Sequence, residues 1–318
     1  MQPYLIVIIV VLSVFALLFV FAFLCEKIAF GKRCDKNPKL KYFTAKDFGL
    51  EANPVELENG LKGFVYSKQP QSGKTLIFCH GMGPGHIAYT TEIAYFCNKG
   101  YTVLAVDSRG CNFSEGKNLK VMYSGVKTAV AAIDFARRDE NLKNGKIYLV
   151  GHSWGAYSAL CASAKRKVDG VVALSAPDTP SKTMQCGATS VISKPFAAVL
   201  RPFWWLLNLC KYGAKGNSSA SASAVRNGTP TLLIHGDKDN VVPKGNAAYF
   251  KAKGENVKKL LVNERGHNPY NTQSAEKLLA ELLSKLKKGE DLTAFDFTAA
   301  TEEDEKVMSA ITEFIENN

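Results

Sequence analysis

Ile147-Tyr148-Leu149-Val150-Gly151-His152-Ser153-Trp154-Gly155 joins a short apolar, β-rich run to a segment of helix formers that opens at Trp154. A serine with glycines two positions before and two positions after it, at the junction of strand and helix, fits a very sharp turn. A larger residue at either glycine position would clash with the backbone crossing beside it. The turn lifts the Ser153 hydroxyl above the end of the strand, next to the amides that begin the helix. The five-residue pattern alone is a weak signal; the strand before it and the helix after it give it weight.

The same alternation runs outward in both directions. Candidate strands are Gly63–Ser67, Thr75–Cys79, Thr102–Val106, Ile147–Val150, Gly170–Leu174, Thr231–Ile234 and Lys259–Val262, with helices between them at about Thr90–Asn98, Gly125–Arg138, Trp154–Ala164 and Gly245–Lys253. This pattern predicts an α/β fold: a mostly parallel central sheet with helices on both faces. Each strand ends near Gly, His, Asp or Ser, so polar residues collect at the C-terminal edge, where open α/β sheets bind ligands. Two further helices are expected at Ser274–Lys287 and about Thr301–Asn317, the second with Thr301 as N-cap and Glu302, Glu303 and Asp304 in its first turn.

One stretch breaks the rhythm. Asp178 to Asn227 separates two strands by far more than the 2–6 residues of an ordinary connection. Its middle, Phe196 to Leu209, is strongly apolar, and Gly213–Ala224 reads as a flexible return. The segment, about 178–227, is expected to form a helical cap over a site; the competing reading is an extra helix packed on the core.

A serine hydroxyl needs a base to become a nucleophile, and the base needs a carboxylate to hold its tautomer. On a strand–turn–helix serine these follow in the chain order Ser, acid, His. Asp239 lies beyond the strand Thr231–Ile234, with Asp237 as a nearby alternative, and His267 lies beyond Lys259–Val262. Of the five histidines only His267 is downstream of the acid, so Ser153, Asp239 and His267 are the candidate catalytic set on one edge of the sheet. Backbone N–H groups are the natural donors to a developing oxyanion. His80-Gly81-Met82-Gly83-Pro84-Gly85 follows the strand Thr75–Cys79, and the Met82 and Trp154 amides are the expected pair. His80, Gly81, Trp204 and Trp205 are candidate substrate contacts.

Phosphate-binding loops do not fit. Lys68 stands where a loop around Gly73-Lys74-Thr75 needs its first glycine, and His86 stands where the third glycine after Gly81 and Gly83 belongs. His80 and His86 lack the helical spacing and carboxylate partners of a zinc site. No metal, nucleotide or other organic cofactor is implied.

Tyr4 to Cys25 carries no charge and is long enough, at about 1.5 Å per residue, to cross roughly 30 Å of hydrocarbon. Met1-Gln2-Pro3 is uncharged and no small-x-small cleavage pattern follows, so residues 1–26 are expected to be an uncleaved transmembrane anchor, not a signal peptide. A basic juxtamembrane stem (27–48) follows, and this flank sets Lys27, Lys32, Arg33, Lys36, Lys39 and Lys41 against Glu26 and Asp35; residues 49–318 form the globular domain. The basic flank places that domain in the cytoplasm.

Forty Lys plus Arg against twenty-nine Asp plus Glu give the 318 residues a net charge of +11, and 46% are hydrophobic. This is globular composition and excludes disordered and fibrous classes. The positive charges are scattered, with no aromatic-interleaved basic stripe, so the expected partner is a lipid bilayer and not nucleic acid. Cys25, Cys34, Cys79, Cys97, Cys111, Cys161, Cys186 and Cys210 show no paired spacing and read as mostly free, buried thiols.

His80-Gly81, Asp107-Ser108-Arg109-Gly110, Gly151-His152-Ser153-Trp154-Gly155, His235-Gly236 with Asp239 and Val242-Pro243, and Gly266-His267 together resemble the α/β-hydrolase superfamily. The resemblance runs from about Lys62 to the C-terminus and extends to its membrane-anchored bacterial members and to the serine-aminopeptidase-like and monoacylglycerol-lipase-like branches. It implies that Ser153 is the nucleophile, His267 the base and then the acid, and Asp239 rather than Asp237 the orienting carboxylate. Cys111-Asn112 departs from the glycine-rich run common there, and the helix Ser274–Lys287 is an addition. The function implied is a serine hydrolase acting on a small-molecule ester or thioester, of acyl or lipid origin if the apolar cap meets substrate. An amidase or peptidase, or a silent hydrolase fold used as a binding module, are the alternatives; oligomeric state is left open.

Overall fold

The computed structural model describes residues 2–70, 72–120, 122–226 and 228–318. Eight strands form one sheet: β1 (Glu51–Leu57), β2 (Leu61–Ser67), β3 (Lys74–Cys79), β4 (Thr102–Val106), β5 (Lys146–His152), β6 (Gly170–Leu174), β7 (Thr231–Gly236) and β8 (Val257–Val262). Their spatial order is β1-β2-β4-β3-β5-β6-β7-β8. The first two strands run antiparallel to their neighbours, and all contacts from β4 across to β8 are parallel. At the centre Val150 of β5 pairs with Phe78 of β3 on one side and Val172 of β6 on the other. Strands covered on both faces read as continuous apolar runs, which is why β3 to β7 were visible in the sequence.

Ten α-helices complete the described chain: α1 (Pro3–Phe30), α2 (Thr90–Asn98), α3 (Tyr123–Ala136), α4 (Trp154–Ser163), α5 (Pro180–Ala188), α6 (Lys194–Tyr212), α7 (Ala220–Arg226), α8 (Ala248–Lys251), α9 (Gln273–Lys288) and α10 (Glu305–Glu316). On one face of the sheet Val126, Ile133, Tyr157 and Leu160 of α3 and α4 close over Ile77, Leu104 and Leu149. On the other, Ile93 and Phe96 of α2 and Met308, Ile311 and Ile315 of α10 close over Leu76, Val103, Tyr148 and Val172.

Four elements depart from the sequence reading. Strand β1 has no apolar run to announce it in the sequence, because it is an edge strand, largely exposed, with Asn53 and Pro54 inside it; an edge tolerates a residue without an N–H. The helix expected over Gly245–Lys253 shortens to Ala248–Lys251. The stretch taken as a flexible return instead contains α7, with Ala220 and Ala224 buried. Its entry is fixed by Asp178, whose carboxylate accepts from the Ser221 amide at 3.0 Å and from the Ser219 and Ser221 hydroxyls. Asn227, the expected end of the cap, lies outside the described residues. Lastly, Asp304 and not Thr301 caps α10: its Oδ1 accepts from the Lys306 and Val307 amides, while Thr301 ends a preceding 3-10 turn.

Helix α1 leaves most of its apolar surface exposed but is docked at its C-terminal end. The Phe30 side chain joins the core, its carbonyl accepts from the Leu119 amide at 3.1 Å, and buried Glu26 pairs with Lys211 of α6. The basic stem is held too, since Arg33 donates to the Asn112, Ser114 and Gly116 carbonyls. All eight cysteines are free thiols; Cys79, Cys97, Cys111 and Cys161 are buried and Cys210 is exposed.

Asp304 both caps α10 and pairs with Arg265 at 2.7 Å. Replacing it by Ala is expected to lower the stability of detergent-solubilised protein by about 1–2 kcal/mol, read as a shift in the urea midpoint. Asp304→Asn, which keeps the cap, is expected to lose less.

Candidate active site

The site is built on the turn that ends β5. Ser153 adopts φ 54 and ψ −119, a region costly for a residue with a side chain and kept only where the surroundings enforce it. The enforcement is packing. A Cβ on Gly155 would stand 1.8 Å from the Cys79 carbonyl oxygen, and one on Gly151 would meet the Gly155 carbonyl at 2.6 Å. The helix α4 therefore starts in direct backbone contact with the end of β3. The Ser153 amide is held by the Leu174 carbonyl of β6 at 2.8 Å, and the side chain remains partly exposed at the edge of the sheet.

The sequence placed three residues on three separate loops, and the fold brings them into one line. His267 Nε2 lies 2.9 Å from Ser153 Oγ, and His267 Nδ1 lies 2.9 Å from Asp239 Oδ2. A carboxylate can only accept, so Nδ1 carries a proton and Nε2 is free to accept one from the serine. The other oxygen of Asp239 accepts from the Val241 and Val242 amides at 2.9 and 2.8 Å. Burial opposes ionisation of Asp239, but the hydrogen bond from His267 and the Val242 amide outweigh it and hold the carboxyl below its usual range. Asp237, the alternative acid, is exposed.

Loop 80–85 curls over the same edge. His80 is buried and spends one ring nitrogen on the loop and one on the segment after β4: Nδ1 bonds the Gly81 carbonyl at 2.6 Å and Nε2 accepts from the Ser108 amide at 2.8 Å. It is thus a strut of the loop, with no nitrogen left for a substrate. Gly81 is buried against Tyr89. Among the described residues, neither the Met82 amide nor the Trp154 amide donates to another group of the chain. Met82 and Val241 expose their side chains on the loops that carry the site. The expected substrate contact of Trp204 gives way to packing: it is fully buried, and its indole N–H donates to the Ala22 carbonyl of α1 at 3.0 Å. Trp205, the next residue round the helix, is about half exposed.

Three residues that position the site were not singled out by the sequence. Glu276 of α9 receives the Gly266 amide at 2.7 Å and the Asn268 amide at 3.0 Å, one on each side of His267. His152 donates from Nε2 to the His267 carbonyl at 2.9 Å; its Nδ1 then accepts from the Tyr89 hydroxyl at 3.0 Å, and Tyr89 accepts from the Gly81 amide at 3.1 Å. A single hydrogen-bonded line therefore joins the loop at Gly81 to the loop at His267. A second buried pair, His86 with Asp107 at 2.8 Å, braces the far end of the 80–89 segment, with Tyr66 on the remaining nitrogen. The sequence signal for Glu276 is its place on the helix that follows His267; His152 is the variable position of the Ser153 motif, and Tyr89 carries no signal beyond lying near the 80–85 loop.

Burial first, and the charge of His267 second, push the His152 imidazole down to about 3. The unfolded side chain titrates near 6.5, so between about pH 6.5 and 3 the unfolded chain binds the extra proton and folding weakens as the pH falls. The urea midpoint is expected to drop over that window, and His152→Gln, which keeps a donor near Nε2, is expected to flatten part of the slope.

A family model described as alpha/beta hydrolase fold matches residues 74–195, from β3 through the Ser153 turn. A 2-hydroxy-6-oxononadienedioate/2-hydroxy-6-oxononatrienedioate hydrolase of Burkholderia vietnamiensis is 30% identical over 108 residues, which are 33% of this chain and 36% of that protein. The chain thus matches about a third of that relative's length. The esterase Pf2001 of Pyrococcus furiosus superposes with a TM-score of 0.58 at 21% identity, covering 83% of this chain and 98% of that one. An alpha-beta hydrolase of Vibrio vulnificus gives 0.53 at 19% identity over 77% and 83% of the two chains. At such identities the structural likeness is one of fold. Strand order, the turn after β5 and the family match agree: the chain has the α/β-hydrolase fold.

Proposed function

We propose that the chain is a membrane-anchored serine hydrolase that cleaves carboxylic esters or thioesters, acyl or lipid-derived, through an acyl-enzyme. The observation that carries this reading is the line Asp239–His267–Ser153 with 2.9 Å at each junction, the spacing at which a base takes a proton from a hydroxyl as it attacks. Ser153 Oγ adds to the ester carbonyl while His267 Nε2 takes its proton. Asp239 keeps Nδ1–H in place and offsets the charge of the imidazolium. The unused Met82 and Trp154 amides are suited to receive the oxyanion, Trp154 with the added help of the α4 N-terminus. His267 then gives its proton to the leaving alcohol or thiol, and a water activated by the same nitrogen releases the acid.

The esterase and hydrolase relatives support hydrolysis as the reaction class. The anchor reading is supported by α1, a 28-residue helix whose most apolar 18-residue window has a mean hydropathy of 3.4 and is only 6% buried, with Lys27, Lys32 and Arg33 at and beyond its C-terminal end. That basic flank favours a cytoplasmic domain.

Hydrolysis of a series of aryl esters of increasing acyl length tests the reading. Ser153→Ala is expected to lower kcat/KM by at least about a thousandfold. Glu276→Ala frees the backbone on both sides of His267 and is expected to lower kcat about ten- to a hundredfold with KM nearly unchanged, as misplacement of the base and not loss of binding. Activity that survives Ser153→Ala would exclude it as nucleophile.

A further inference from the structure

We propose that α6 is a second membrane-embedded element, seated on α1 with its free flank in the acyl region of the bilayer, and that the segment resembling a soluble lid is a membrane contact. The proposal rests on α1 crossing the bilayer, as read above.

The contact between the two helices is extensive and apolar. Ala22 of α1 is buried together with Leu200, Phe203, Trp204 and Leu207 of α6, and Leu18, Phe19 and Cys25 pack against them. Phe15 meets Phe203 with ring centroids 4.9 Å apart, and Phe21 meets Phe196 at 5.5 Å. The Trp204 indole donates into the backbone of α1 at Ala22. The contact sets a depth. At about 1.5 Å of rise per residue, Phe15 stands roughly 17 Å along the axis from Glu26, which is near the middle of a 30 Å hydrocarbon layer. A helix that touches both Phe15 and Glu26 cannot lie wholly outside that layer if α1 is within it.

The remaining surface of α6 fits such a place. Val199 and Trp205 are about half exposed, and Val191 just ahead of the helix is 80% exposed. Turning about 100° per residue, Trp205, Ala198, Leu209, Pro202, Leu206 and Val199 form one continuous arc outside the α1 contact, with no charge in it. Lys194 and Arg201 share one border of the arc and Lys211 lies in the last turn, where long cationic side chains reach headgroups while their stems stay in apolar surroundings. The domain cannot swing away from this arrangement on a loose tether, because the Arg33 bonds to loop 112–116 and the Leu119 bond to Phe30 fix the end of α1 to it. A soluble lid would expose this apolar arc to water beside a helix already surrounded by lipid, so the bilayer is the occupant that continuity with α1 selects.

The full chain has three tryptophans, and Trp205 lies on the arc. Wild type and Trp205→Phe are reconstituted in phosphatidylcholine–phosphatidylglycerol vesicles, and the Trp205 share of the emission is taken as their difference. Brominated phosphatidylcholine is expected to cut that share about twofold or more, and aqueous acrylamide to leave it nearly unchanged. Quenching by acrylamide alone, in protein that resists alkaline carbonate extraction, would overturn the seating of α6 and leave the anchor standing. Release by carbonate would remove the anchor and this proposal together. Shielding from both quenchers, with a cross-linked dimer, would overturn it in favour of a second copy on this face.

Discussion

The backbone contact between Gly155 and the end of β3 is the constraint on which the rest of the site depends. With a Cβ position only 1.8 Å from the Cys79 carbonyl oxygen, no residue but glycine lets α4 begin there. Because α4 begins there, Ser153 is held at φ 54 instead of relaxing into the strand or the helix. Strain at this residue is sustained by the most rigid part of the molecule, the parallel pairs of β5 with β3 and β6, buried on both faces. The same contact holds the start of α4, which carries Trp154, against Cys79 and His80, from which loop 80–85 continues, so one packing requirement bears on both the proposed nucleophile and its proposed oxyanion donors.

The proposed base has no such rigid support of its own. His267 sits in a loop after β8, the edge strand of the sheet, with exposed residues, and the chain compensates with clamps from three directions. Glu276 holds the amides on both sides, His152 holds the carbonyl, and Arg265 ties the loop to Asn271 and to Asp304 at the start of α10. The Glu276 and His152 clamps act on the backbone and the Arg265 clamp through its own side chain, leaving both ring nitrogens of His267 for Asp239 and Ser153. The added helix α9 is thereby part of the site's support, and the line Gly81–Tyr89–His152–His267 makes the position of the base depend on the same loop that carries Met82.

Much of this was legible in residues 147–155 and in the order of Ser153, Asp239 and His267, because those signals are local: a strand, a turn that needs two glycines, and loops that follow strands. Where the reading missed, the deciding interaction was not local. Strand β1 is polar because it is an edge. Helix α7 forms in a Ser- and Ala-rich run because Asp178, about forty residues earlier in the chain, orders its entry. Trp204 was assigned to substrate because an apolar helix in an insertion suggests a lid; its partner is α1, nearly two hundred residues away in sequence, and no periodicity reports such a pairing. Glu276 and Tyr89 are ordinary residues on ordinary helices until the fold brings backbone amides and His152 to them.

The central claim, that Ser153 is an activated nucleophile served by His267, is tested most directly by a fluorophosphonate reagent applied to membranes containing the full chain, with the modified peptide identified by mass spectrometry. The account predicts one adduct, on the peptide containing Ser153, that forms slowly or not at all in His267→Gln although that variant folds. An adduct on another residue, or equal labelling of the folded His267→Gln variant, would contradict it.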